Sequence, residues 1–82
     1  MKKIKWDSAQ DRHMMGTTQH GTVWIRFNRQ HEPMSWYTIF NGVTNKWMTE
    51  EGDSVELIKE LIQEEYQRFL TSLRLSEKAD RM

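Results

Sequence analysis

From Val55 to Leu73 the chain places apolar side chains at three- and four-residue steps, through Ile58, Leu61, Ile62, Tyr66, Phe69 and Leu70. This is the stripe of an amphipathic helix. The rest of the sequence carries strand-like alternation, so the stripe must be buried against a sheet. Gly52 breaks the preceding element, and Asp53 with Glu56 three residues on has the spacing of a capping box. Glu64 and Arg68 form a favourable i, i+4 pair. The spacing predicts a helix over 54–75 and a polar, frayed tail over 76–82. Such a helix is about 33 Å long, whereas a strand of six or seven residues spans about 20 to 23 Å. The helix must therefore overhang its sheet. Its last apolar residues, Phe69, Leu70, Leu73 and Leu75, need cover from the N-terminal segment, a second copy of the chain or a partner, which marks Phe69, Leu70 and Leu73 as a candidate dimer or partner contact.

Asn41-Gly42 lies between two β-rich runs, 35–40 and 43–48, and is the preferred pair for a two-residue type I′ hairpin turn. That turn sets Phe40 opposite Val43, Thr38 opposite Asn45 and Trp36 opposite Trp47. Trp36, Phe40, Val43 and Trp47 then share one face, assigned to the core beneath the helix. Residues 22–28 alternate Val23, Ile25 and Phe27 against Trp24, Arg26 and Asn28, and residues 2–6 set Ile4 and Trp6 inward against lysines. The expected fold is α+β: an antiparallel meander of three or four strands packed on one long C-terminal helix, a single domain over 1–82. With 82 residues and 10.0 kDa the chain supplies one core. Between the first two strands, Asp7 to Gly21 is polar, with Gly16 and Gly21 as punctuation and Met14 and Met15 as its only large apolar residues. A connection of this length is either functional or conceals a further short element.

Twelve cations balance twelve anions, but unevenly. Residues 1–48 carry seven cations against three anions, and residues 49–82 carry nine anions against five cations. This polarity argues against the broad basic face of a general duplex-DNA binder. The absence of cysteine removes disulfides, thiolate nucleophiles and cysteine-based zinc sites, and fits a cytoplasmic address. No apolar run reaches signal-peptide or membrane-spanning length. His13, His20 and His31 are separated by seven and eleven residues with no metal-binding spacing, and the helix carboxylates lie on a solvated face. No nucleophile elbow, phosphate loop or dinucleotide fingerprint is present. A catalytic set, a metal and a cofactor are accordingly not expected.

The register places Trp24, Arg26, Tyr37, Ile39, Lys46 and Met48 on the sheet face turned from the helix. An apolar patch with cationic rims has the composition of a protein-binding surface or of a base-stacking platform, unless the loop carrying Met14 and Met15 folds across it. The nucleic-acid alternative would use Lys2, Lys5, Arg26, Arg29 and Lys46.

Trp6 on a short first strand, Gly21-Thr22-Val23-Trp24-Ile25, Trp36-Tyr37-Thr38-Ile39-Phe40 with Asn41-Gly42, and Asp53 before the helix Val55 to Leu73 together resemble small phage and prophage accessory proteins over about residues 3 to 73. Val23-Trp24 stands where such chains usually have Gly-x-Tyr, and Leu57-Ile58 where a small Ala-Lys pair is common. The resemblance implies a host-directed protein acting by binding a bacterial protein, with no carried-over catalytic residue. The sheet also looks loosely like the arm-binding domain of phage integrases, whose strands enter the DNA major groove. The expectation is thus a non-enzymatic protein-binding module, with a homodimer or nucleic-acid binding as alternatives.

Overall fold

The computed structural model describes residues 3–80, with side chains from 3 to 75. Five strands precede one helix: β1 (Lys5–Trp6), β2 (His13–Thr18), β3 (Gly21–Phe27), β4 (Pro33–Phe40), β5 (Val43–Met48) and α1 (Val55–Asp80). The strands form one antiparallel sheet in the order β1-β2-β3-β4-β5, so each strand lies beside its sequence neighbours. The α+β class is as expected, but the sheet has five strands rather than three or four. The additional strand is β2, the further short element that the length of the 7–21 segment allowed for.

The β4–β5 hairpin has the register that Asn41-Gly42 requires: Phe40 pairs with Val43, Thr38 with Asn45 and Trp36 with Trp47. Both turn residues have positive φ, 48° at Asn41 and 81° at Gly42, as a type I′ turn demands. The β2–β3 turn uses different chemistry. Gln19 and His20 span it, the Thr18 hydroxyl donates to the Gly21 carbonyl at 3.0 Å, and the His20 N–H donates back to that hydroxyl at 3.0 Å. A threonine side chain there takes the place of the usual Asn-Gly pair.

Gly16 is not turn punctuation. It sits mid-strand in β2, where a Cβ would lie 2.6 Å from Ile4 Cγ2 and 2.7 Å from Val23 Cγ2. Its missing side chain lets Ile4 of the N-terminal segment and Val23 of β3 close over β2. Ile4 is buried, and its N–H donates to Gln63 Oε1 on the helix at 3.4 Å. The strand at this end is Lys5–Trp6; of the expected 2–6, Lys3 and Ile4 lie outside it and Lys2 lies outside the described residues.

Ile58, Ile62 and Tyr66, one face of α1, are buried with Val23, Ile25, Phe27, Trp36 and Phe40 of the sheet. At about 25 cal/mol per Å² of apolar surface, side chains of this size contribute about 1.5 to 3 kcal/mol each on burial. The helix begins one residue later than expected because Ser54 is its cap: Ser54 Oγ accepts from the Leu57 N–H at 3.1 Å. Asp53 instead accepts from the Glu50 N–H at 2.8 Å and shapes the preceding turn. Arg68 pairs with Glu65 at 2.8 Å rather than with Glu64. The helix continues to Asp80, beyond the expected end at 75. Polarity is not a stop signal, and Ser76-Glu77-Lys78-Ala79 contains neither glycine nor proline.

The predicted overhang is present. A helix of 26 residues is about 39 Å long by its rise per residue, and the molecule measures 52 Å along its long axis against 22 Å across. Phe69 finds cover within its own chain, stacked on Phe40 at 4.9 Å between ring centroids and edge-on to His20 at 5.3 Å. Leu70 also packs against the core and Leu73 is half-buried, while Leu75 is 63% exposed.

The core assignment of Val43 needs correction. It shares a face with Phe40 and Trp47, yet it is 60% exposed because the helix lies nearest β4 and does not reach over β5. Trp47, stacked on Trp36 at 4.1 Å with 15° between the ring planes, is half-buried for the same reason.

Two measurements check this packing. Gly16→Ala should lose about 1 to 3 kcal/mol in urea denaturation, because the buried Ile4 and Val23 methyls must be displaced. Trp36→Ala should lose about 3 to 5 kcal/mol and Trp47→Ala clearly less. Equal losses at the two tryptophans would mean that α1 covers β5 after all.

Candidate functional site

The outer face of the sheet is organised in three cross-strand rows. Met15, Trp24, Tyr37 and Lys46 form the central one. His13, Arg26, Ser35 and Met48 run along one side, and Thr17, Thr22, Ile39 and Thr44 along the other, extended by Lys5 of β1. All six residues expected on this face, Trp24, Arg26, Tyr37, Ile39, Lys46 and Met48, are brought together there. Period-two alternation of β3, β4 and β5 accounts for that.

Trp24 and Tyr37 stack with centroids 6.1 Å apart and 13° between their planes, and His13 tilts against Trp24 at 5.4 Å. The Trp24 indole N–H donates to Thr22 Oγ1 at 3.1 Å, which fixes the ring on the sheet. Trp24, Tyr37, Ile39 and Met15 are half-buried, whereas Arg26 and Lys46 are exposed and Met48 is 69% exposed. Ser35, buried between Arg26 and Met48, has a hydroxyl with no hydrogen-bond partner among the described residues.

The segment 7–21 does not fold across this face. Its β2 portion joins the sheet and widens it, sending Met14 toward the core and Met15 outward. Residues 7–12 instead rim the face, tied by the Asp7 N–H to the Met15 carbonyl at 2.9 Å and the Gln10 N–H to the His13 carbonyl at 2.8 Å. Asp7, Ser8 and Gln10 with His13, Met15 and Trp24 enclose a depression of about 280 Å³ beside the indole. His13 and Met15 were parts of this surface that sequence alternation missed, since they arrive on β2, which was not recognisable as a strand.

The three histidines have separate partners. His20 Nδ1 lies 3.1 Å from the Tyr66 hydroxyl, His31 Nε2 lies 3.3 Å from Asp11, and His13 lies against Trp24. Among the described residues no three His, Asp or Glu side chains are grouped so as to hold a metal ion, and no helix is long and apolar enough to cross a membrane. No protein-family model, curated protein or solved structure matches the chain.

The hydrogen bond that fixes Trp24 gives a direct check. Thr22→Val should leave stability within about 1 kcal/mol of the parent while speeding solvent exchange of the Trp24 indole proton, measured by NMR. Unchanged exchange would mean that Thr22 does not hold the ring.

Proposed function

We propose that this chain is a non-enzymatic protein-binding module whose contact surface is the outer sheet face, anchored by Trp24. The observation that carries this reading is the Trp24–Tyr37 stack: two half-buried rings, the indole held by Thr22, with no second layer over them among the described residues. Rigid aromatic side chains bury large area with little loss of conformational freedom, and binding energy concentrates on such anchors where an arginine lies nearby. Arg26 and Lys46 supply the cationic rim, and the depression beside Trp24 is a seat for one partner side chain. The resemblance to phage accessory proteins supplies the partner class: a bacterial host protein that the chain modulates or inhibits in the cytoplasm.

A second reading has one observation in its favour. Lys5, Arg26 and Lys46 all share the aromatic face, while Glu56, Glu60, Glu64 and Glu65 belong to the helix packed on the opposite face. Cations interleaved with stacked rings also suit single-stranded nucleic acid.

One experiment separates the two. The chain is used as bait in a bacterial lysate at low and high salt, with and without nuclease. The protein-binding reading expects a defined protein that survives salt and nuclease and that Trp24→Ala weakens by about 30-fold or more, a hot-spot loss. That variant should keep its urea midpoint within the effect of about 1 kcal/mol expected for one aromatic pair. Recovery of nucleic acid removed by salt would transfer the function to the second reading. A collapse of the fold on Trp24→Ala would make that residue structural.

A further inference from the structure

The opposite side of the sheet carries a distinct strip along β5. Trp36 and Trp47 floor a groove of about 460 Å³, walled on the helix side by Leu57 and Leu61. It continues toward the hairpin turn as a second groove of about 340 Å³ between Val43, Asn45 and Phe69. Its charged lining is mostly carboxylate: Glu50, Asp53, Glu64 and Glu65. The one cation lining it among the described residues, Arg68, is already paired with Glu65 at 2.8 Å.

The strip also has an open strand edge, because the sheet ends at β5. Phe40 and Val43 close the two-residue turn, and the Thr49 N–H donates to the Met34 carbonyl at 3.2 Å. In an antiparallel pair this directs the peptide groups of residues 43, 45, 47 and 49 to β4 and those of Thr44, Lys46 and Met48 away from it. The strand is regular, without a bulge or proline to block pairing.

We propose that β5 accepts an extended cationic peptide segment as a sixth strand, with Arg or Lys at alternate positions facing the groove. Its backbone would pair with Thr44, Lys46 and Met48, the mode in which main-chain bonds give affinity and alternate side chains give specificity. Long cationic side chains match the groove twice over. Their aliphatic stems and guanidinium planes suit the Trp36–Trp47 floor, and their charge suits the carboxylate rim. A second copy docked by its own β5 would instead set one acidic rim beside another. This proposal does not depend on the outer-face reading.

The test is a titration of the full chain with the blocked synthetic peptide Thr-Arg-Thr-Arg-Thr-Arg-Thr, followed by amide and indole NMR signals. Saturable shifts are expected at Thr44, Lys46, Met48 and the Trp47 indole. Affinity should fall by about ten-fold or more for a peptide with Glu in place of Arg, for a backbone N-methylated Arg peptide, and for the double variant Glu50→Lys, Glu64→Lys. Both glutamates are exposed, so circular dichroism should show the fold retained. Trp24→Ala should leave the titration unchanged, which keeps it separate from any outcome at the outer face. The proposal is overturned by the absence of shifts at about 1 mM peptide, by equal binding of the Glu or N-methylated peptide, or by a sedimentation mass of two chains with the β5 amides already protected.

Discussion

The structure is governed by a mismatch of widths. One helix is about 10 to 12 Å across with its side chains, whereas five strands about 4.8 Å apart make a sheet about 19 Å wide. A single helix cannot shield both flanks of such a sheet. The chain resolves this unequally. On the β1 flank, Ile4 enters the core and Trp6 stands under the Lys59 ammonium at 5.3 Å, so the N-terminal segment closes that side. On the β5 flank nothing equivalent arrives among the described residues, and Val43 and Trp47 keep contact with solvent.

The mismatch also explains why the buried ridge on the helix is narrow. Ile58, Ile62 and Tyr66 carry it, and Phe69 extends it through the aromatic group formed with Phe40 and His20. The His20 contact to the Tyr66 hydroxyl gives the one polar group on this ridge a partner, as burial requires. Leu57, one position outside the ridge, is 40% exposed and faces the open flank.

Sequence periodicity was sufficient wherever local geometry dictated the outcome. Asn41-Gly42 fixed the β4–β5 register, and alternation then placed all six outer-face residues correctly. The apolar stripe located the helix, although Ser54 rather than Asp53 caps it. Legibility failed where the deciding contact was distant in sequence. Gly16 reads as a turn residue until Ile4 and Val23 are seen to need its space, and β2 was hidden as a result. Val43 reads as core because its register is right, while its exposure depends on how far a helix a dozen residues away can reach. Within the candidate site, Trp24, Tyr37 and Lys46 were readable, and Met15 and His13 were not, because they arrive on the missed strand.

The strict meander has one further consequence, for the chain's conformational entropy. Each strand pair closes a loop of only a few residues, so forming the sheet requires little beyond neighbouring chain. The contact of Ile4 with Gln63 is of another kind, spanning 59 positions. The longest single loop closure in the molecule is therefore the docking of helix and N-terminal segment on a sheet whose pairings are local. That event packs the N-terminal segment and the middle of the helix into one unit, so a disturbance of either is felt by the other.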